Sequence, residues 1–165
     1  MSRKRRAYES GHKPKFLAII DDTPECDRAV RFGARRMARI GGRLIMLRVI
    51  ETSDMDQQWL GVADLMRAEA REAAAAMLDR HAANVRSLAG LEPECVVREG
   101  DKATEIVRLI DEDEDIAVLV LAAGTGSEGP GPLVTMLAGK PSGTFAIPIA
   151  IVPGHLSDDE IDALA

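Results

Sequence analysis

Five short runs rich in apolar residues alternate along the chain with longer segments in which apolar residues recur every three or four positions. An apolar run bounded by turn residues predicts a strand buried in a parallel sheet, whereas the longer spacing predicts an amphipathic helix. Their strict alternation predicts an α/β fold, a single three-layer domain with a five-stranded parallel sheet and helices on both faces. The predicted strands are residues 16–20, 44–50, 94–98, 116–123 and 147–152.

The helical segments have predictable ends and faces. Thr23 followed by Pro24 predicts the start of the first helix, because threonine caps helices and proline fits their first position. A long helix rich in Ala, Glu and Arg follows the polar connection 51–58, and the acidic stretch 111–115 is predicted to be a solvated helix end. The apolar faces of the first three helices are predicted to be Ala29, Phe32, Gly33, Met37 and Ile40; Val62, Met66, Ala70, Ala73 and Met77; and Ala103, Ile106, Val107 and Ile110.

The two ends of the chain differ from its centre. The first 15 residues contain six lysines and arginines and one glutamate, whereas the net charge of the whole chain is −6, so the remainder is strongly acidic. We predict a basic, disordered arm over residues 1–14, which either stays solvated or contacts anionic surfaces nonspecifically. The folded domain is predicted over residues 15–153. Residues 154–165 form a C-terminal tail in which Ser157 and Glu160 predict a capping box and a short helix.

Composition excludes several classes of protein. The cysteines, Cys26 and Cys95, are far apart, form no CxxC pattern and are accompanied by only three scattered histidines, so no metal site is predicted. Each cysteine is expected to be a small buried hydrophobe. No secretion signal or membrane span is found, which favours a cytoplasmic protein, and the acidic body argues against specific nucleic-acid binding.

A glycine-rich segment, GTGSEGPG at residues 124–131, follows the fourth predicted strand directly. Ligands of open α/β sheets bind beyond the carboxyl ends of the strands. Glycine lets the backbone approach an anion closely and direct its N–H groups toward it. The position and composition of this segment therefore predict a phosphate-contacting loop.

Three features together make the chain resemble the universal stress protein family. Asp21 stands at the end of the first strand, and Gly100-Asp101 forms a turn before the third helix. After the fourth strand, Gly126, Gly129 and Gly139 reproduce the spacing G-x2-G-x9-G of the family's loop. The resemblance covers about residues 15–153.

The resemblance implies an adenine-nucleotide site. In the ATP-binding branch of the family, the positions of Asp21 and Val49 flank the adenine, and those of the three loop glycines contact the ribose and phosphates. ATP or a related adenine nucleotide is the implied ligand. The family has Ser or Thr after the third glycine, where this chain has Lys140, whose ammonium can neutralise a phosphate. Structural alternatives stay open: Asp21 as a turn cap, Val49 as a core residue, the glycines as turn residues and Lys140 as a solvated lysine.

Three candidate functions follow from this resemblance. The resemblance implies a nonenzymatic regulatory protein that responds to a nucleotide, and the chain has no G-x4-GK[ST] loop or nucleophile paired with a histidine that would indicate fast hydrolysis. The alternative is a dimeric interaction or adaptor module of the same family without nucleotide binding, which Lys140 and the short last helix favour. A catalytic member of the wider superfamily would carry an SGGxDS-type motif near the first strand, and residues 21–24 do not match it.

The last strand predicts self-association. Ile147, Ile149 and Ile151 would leave an apolar, unpaired edge if this strand borders the sheet, and Pro148 suits an edge strand because it lacks an N–H group. We therefore predict a homodimer in which residues 147–152 of two copies pair about a two-fold axis.

Overall fold

The computed structural model describes residues 3–51 and 60–165, which form one sheet of five parallel strands with helices on both faces. The strand order is β3-β2-β1-β4-β5. The predicted α/β fold is thereby confirmed. The strands are β1 (Lys15–Ile19), β2 (Arg43–Ile50), β3 (Glu94–Glu99), β4 (Ile116–Ala123) and β5 (Ile149–Pro153). The helices are α1 (Cys26–Ile40), α2 (Leu60–Ala89), α3 (Lys102–Glu112), α4 (Pro132–Ala138) and α5 (Asp158–Leu164), with a 3-10 helix at Lys140–Thr144.

Two hydrophobic cores lie on opposite faces of the sheet. In β1, Phe16 and Ala18 pack with α1 and α2, whereas Leu17 and Ile19 pack with α3 and α4, because successive side chains of a strand point to opposite faces. The chain crosses the sheet in one direction from β1 to β3 and returns from β3 to β4. Right-handed crossovers therefore place α1 and α2 on one face and α3 and α4 on the other.

The first helix begins later than predicted, at Cys26. The hydroxyl of Thr23 donates to Asp21 instead of capping the helix, and the Thr23 carbonyl accepts from the Cys26 N–H. Residues 21–25 thus form a turn of their own. The prediction that Thr23 caps α1 was wrong because Asp21, two residues earlier, accepts the hydrogen bond of the Thr23 hydroxyl.

The buried face of α2 differs from the predicted one. Its buried residues are Ala74, Leu78, Ala82 and Val85, from the middle of the helix onward. Val62 and Met66, expected on the apolar face, are 52% and 39% exposed. A run of four alanines at residues 73–76 provides no contrast between polar and apolar positions, so periodicity could not identify the face. None of the helices in the described part of the chain is both long and apolar enough to span a membrane.

The basic N-terminal segment packs against the protein from residue 3 onward, contrary to the disordered arm predicted for residues 1–14. Arg5 donates through Nη1 to the carbonyls of Ile110 (2.7 Å) and Asp113 (3.0 Å) at the end of α3. Ala7 is 4% exposed, and the His12 ring lies 2.6 Å from the Asp115 carboxylate. The acidic stretch 111–115 is therefore not simply solvated: together with the last carbonyls of α3 it provides acceptors for the basic segment.

Helix α5 is fastened to α1 by charge and by one buried side chain. The Ser157 half of the predicted capping box is present at its start, where the Ser157 hydroxyl oxygen accepts from the Glu160 N–H. Ile161 is fully buried in the core, and Asp162 accepts from Arg31 (2.7 and 2.8 Å) and Arg35 (3.0 and 3.2 Å). Hydrogen bonds from Arg31 lower the pKa of Asp162 from its ordinary value of 3.8 to about 2.

This ion pairing predicts a pH-dependent contribution to stability. The Asp162 carboxylate has a lower pKa in the folded protein than in the unfolded chain, so its stabilisation is present above about pH 4 and is lost as the pH falls toward about 2. Asp162→Asn should lower the melting temperature at pH 7, and the difference from the wild type should shrink between pH 4 and pH 2. Asp159→Asn, on the exposed side of α5, is the matched control for thermal melts across this pH range. A deficit that stays constant with pH would contradict the ion-pair account.

Candidate functional site

A cavity of about 660 Å³ opens at the carboxyl ends of β1, β2 and β4. It lies where β1 and β4 are neighbours in the sheet but send their connections to opposite faces, toward α1 and α4. Two connections that diverge in this way leave a crevice between them, and ligands of open α/β sheets bind in such crevices. We call this space the strand-end cavity.

Apolar side chains reach the strand-end cavity from two parts of the fold. Strands and α4 contribute one set, and α2 contributes the other between Met66, which is exposed, and Met77, which also packs against the core. A flat, largely apolar ring fits between surfaces of this kind. The two sets are Val49, Leu121, Leu133 and Val134, and Met66, Ala70, Ala73 and Met77.

Asp21 and Val49, both predicted site residues, line this cavity. Asp21 lies two residues beyond β1, and its Oδ1 accepts hydrogen bonds from the N–H (3.0 Å) and the hydroxyl of Thr23. This is the turn-capping role left open by the sequence, and it uses one of the two carboxylate oxygens, so Oδ2 can still accept from a ligand. Val49 is 3% exposed and packs mainly in the core.

The charged lining is dominated by carboxylates. Besides Asp21, it contains Asp22, Glu25 and Glu51, against the cations Arg48 and Lys102. Arg48 is committed to the protein, because it donates to Asp22 Oδ2 at 3.2 Å and to the carbonyl of Ile20 at 3.4 Å. Lys102, the first residue of α3, forms no ion pair with the described part of the chain.

Glu25 is held beside the first residue of the glycine-rich loop. A Cβ atom added to Gly124 would lie 3.0 Å from the Glu25 carboxylate, and one added to Gly154 would lie 3.1 Å from the Glu25 Cβ. The two glycines therefore make room for this side chain. Glu25 lines both the strand-end cavity and a smaller one of about 240 Å³ beside it.

The glycine-rich loop meets the cavity at a different point from the one predicted. In this segment, the residues that line the cavity are Pro130, Gly131 and Pro132, whereas Gly126 and Gly129 do not line it. The Gly129 N–H donates to the Gly126 carbonyl at 3.1 Å, and the Gly124 N–H donates to the Pro130 carbonyl at 2.9 Å. The loop is thus closed by its own hydrogen bonds, with positive φ at Gly129 (92°) and Gly131 (108°).

Gly139 follows α4 and is not among the described residues that line the cavity. The Gly139 carbonyl accepts from the N–H (3.0 Å) and the hydroxyl (2.6 Å) of Ser142, which closes the 3-10 turn. A Cβ atom at Gly139 would lie 2.9 Å from the Thr135 carbonyl oxygen, so the glycine has a packing role. The side chain of Lys140 is outside the part of the chain that the structure describes.

The cysteines differ from each other. Cys26 is buried at the start of α1 and lines the cavity, and burial raises the pKa of its thiol to about 12, so the thiol stays protonated at neutral pH. Cys95 is exposed, contrary to the prediction that both cysteines are buried. Over residues 3–51 and 60–165, no group of three His, Cys, Asp or Glu side chains is arranged to hold a metal ion.

Six polar residues of the described lining were not predicted as site residues: Asp22, Thr23, Glu25, Arg48, Glu51 and Lys102. Arg48 carries a usable signal, because a charged residue interrupts an otherwise apolar strand near its carboxyl end. Lys102 directly follows the Gly100-Asp101 turn, which is one of the three features of the family resemblance. Glu25 carries no such signal, since only the packing of the first and fourth strand ends brings it beside Gly124.

The loop geometry predicts opposite outcomes for two glycines. Gly131 has φ 108° and ψ 156°, a conformation essentially restricted to glycine, so Gly131→Ala should lower the free energy of unfolding by about 1–3 kcal/mol. Gly126 has no positive φ, and the nearest atom to an added Cβ is 4.0 Å away, so Gly126→Ala should be tolerated. Denaturant titrations of the two variants provide the comparison, and equal losses would contradict the described loop.

Comparison with known proteins identifies the family of the chain and structures with a similar fold. The family model described as the universal stress protein family matches residues 14–140. No curated protein sequence matches the chain closely enough to count as a relative. Among solved structures, the universal stress protein UspA from Lactobacillus plantarum is similar at a TM-score of 0.68 and 18% identity, with 84% of this chain and 97% of that chain covered.

Two other similar structures contain nucleotides. A universal stress protein in complex with cAMP has a TM-score of 0.58 and 15% identity, with 86% of this chain and 97% of that chain covered. The universal stress protein from Archaeoglobus fulgidus in complex with dAMP has a TM-score of 0.59 and 17% identity, with 84% and 96% covered. These likenesses show the same fold, and the family model matches most of the chain. The chain belongs to the universal stress protein family.

Proposed function

We propose that this protein is a regulatory member of its family that binds an adenine nucleotide in the strand-end cavity. The observation that carries the proposal is the cavity itself: it lies where β1 and β4 send their connections apart, has apolar surfaces from β2, β4, α4 and α2, and has a carboxylate, Asp21, at its edge. The cAMP and dAMP complexes of two similar structures support the class of ligand.

The residues of the cavity suit a purine. The apolar side chains can cover the faces of the base, and Asp21 can accept a hydrogen bond from the exocyclic amino group of adenine through Oδ2. Its Oδ1 is held by Thr23, so the carboxylate is oriented before a ligand arrives. A ligand that binds only the ordered arrangement of α2, the β1 turn and the loop after β4 would stabilise that arrangement and could alter the surface offered to a partner.

A regulatory role is favoured over a catalytic one by the chemistry of the lining. The described lining residues include no histidine that could act as a general base at neutral pH. The one thiol, Cys26, is held protonated by burial. The carboxylates and the Lys102 ammonium of the described lining can bind and orient a ligand.

The adaptor function without nucleotide binding is the second candidate. Lys140 in place of a hydroxyl residue and the absence of Gly126 and Gly129 from the lining favour it. The two candidates differ in one measurable property, which is saturable binding of an adenine compound.

Calorimetric titration of the nucleotide-free protein with AMP tests the proposal. We expect saturable binding, and Asp21→Asn should weaken it about tenfold or more, which is the usual effect of losing one hydrogen bond to a charged group. Asparagine can still accept from Thr23 through Oδ1, so the turn is retained, but it presents an NH2 group where a carboxylate oxygen stood. Asp79→Asn, on the exposed side of α2, is the control. Absence of binding of adenosine, AMP and ATP at millimolar concentration would favour the adaptor.

We further propose that the protein forms a homodimer through the edge of β5. This strand borders the sheet, with β4 on its other side, and Ile151 is 40% exposed. Pro148 precedes the strand, where it costs no strand N–H group. Of the three isoleucines predicted at this edge, Ile147 is buried before the strand and Ile149 packs against the core, so Ile151 is the exposed one. An exposed apolar residue on an unpaired edge strand would be covered by a second copy.

Light scattering tests the dimer with a matched pair of variants. Ile151→Arg should shift the protein to a monomer at micromolar concentration, because it places charge at the proposed interface. Ile40→Arg changes another exposed isoleucine, 47% exposed at the end of α1, and should leave the oligomeric state unchanged. A wild-type monomer, or a variant Ile151→Arg that remains dimeric, would contradict the proposal.

A further inference from the structure

The capacity of the strand-end cavity for phosphate is small, and this bears on which adenine compound it takes. Resting on the proposed function, we infer that the site selects a nucleoside or nucleoside monophosphate and discriminates against the metal-free triphosphate. The argument depends on the donors that reach the cavity and on the charges that line it.

Backbone donors are few where the loop meets the cavity. Of the lining segment Pro130-Gly131-Pro132, only Gly131 has an N–H group, because proline has none. Two further glycines of the loop already donate within it: Gly124 to Pro130 and Gly129 to Gly126. A triphosphate cradle needs a series of free N–H groups directed at the anion. This segment can supply one, and Leu133 and Val134 in the first turn of α4 add two N–H groups at the lining that have no partner among the described backbone bonds.

Cationic side chains are equally few. Arg48 is occupied by Asp22 and the Ile20 carbonyl, so Lys102 is the described cation that remains for a ligand. One ammonium and the N–H groups at the start of α4 are enough for a single phosphate group. Residues 52–59 contain two aspartates and no lysine or arginine, so that segment can add no cation.

The remaining lining charges are negative. With Asp22 paired to Arg48, the carboxylates of Asp21, Glu25 and Glu51 face a ligand that shares the cavity with Lys102. Glu25 is held against Gly124 and lies beside the loop. Each phosphate beyond the first would add negative charge near these carboxylates without gaining a second described cation, and the repulsion is strongest at low ionic strength.

The inference is tested by comparing adenosine, AMP and ATP in magnesium-free buffer at low salt. We expect AMP to bind about tenfold more tightly than ATP or better, since each extra charge meets a net negative lining. The measurement uses the whole wild-type chain, so any contribution of Lys140 is included. Raising the salt concentration should narrow the difference.

Three variants separate charge from shape. The double variant Glu25→Gln and Glu51→Gln should bring ATP to within about threefold of AMP, because it removes the repelling charges and retains the side-chain volumes. Glu128→Gln, an exposed carboxylate on the loop that does not line the cavity, is the matched control. Lys102→Gln should weaken AMP about tenfold and leave adenosine unchanged, as expected for a residue that contacts the phosphate.

The outcomes distinguish the inference from the proposal on which it rests. ATP binding as tightly as AMP without magnesium would overturn the inference and leave adenine-nucleotide binding intact. The same holds if the double variant fails to change the ratio. No binding of any of the three compounds would overturn both.

Discussion

The parallel pairing of β1 with β4 at the centre of the sheet is the contact on which the other features depend. β1 is buried between β2 and β4, and Leu17 and Ala18 are fully buried there. The chain reaches β4 only after crossing back over the sheet, so the connections after β1 and β4 leave toward opposite faces. The cavity at their carboxyl ends follows from this topology. Its position is therefore a property of the strand order, whatever side chains line it.

Most of the arginines form hydrogen bonds or ion pairs with other residues of the same chain. Arg31 and Arg35 hold α5 on α1, Arg5 caps the end of α3, and Arg48 is paired with Asp22. Arg5 satisfies carbonyls that the end of α3 leaves without partners, and the other three arginines pair with side-chain carboxylates. The number of basic residues in the chain therefore does not indicate how many of them are available to bind a phosphate. The described lining of the cavity has more carboxylates than cations, although the chain contains 21 lysines and arginines.

The accuracy of the sequence-based predictions followed the strength of the local signal. The capping box at Ser157 and Glu160 has both partners within four residues, and the helix it predicts is present. The prediction that the basic segment is disordered was wrong because its partners, the carbonyls around residue 113, are about a hundred residues away in the sequence. The predicted buried face of α2 was wrong because a run of alanines does not distinguish one side of a helix from another. The predicted start of α1 was wrong because the Thr23 hydroxyl donates to Asp21 instead of capping the helix.

The amino-acid sequence by itself determined the class of fold, the order of its elements and the placement of Asp21 and a glycine-rich loop at strand ends, because burial periodicity and turn residues act over short distances. Only the tertiary structure decided which residues meet in the cavity. Gly131 lines it and Gly126 does not, Glu25 lies against Gly124, and Lys102 lines it while Arg48 is occupied. Such juxtapositions depend on how loops from different strands close and on which charges find partners within the fold, and neither is encoded in spacing along the chain.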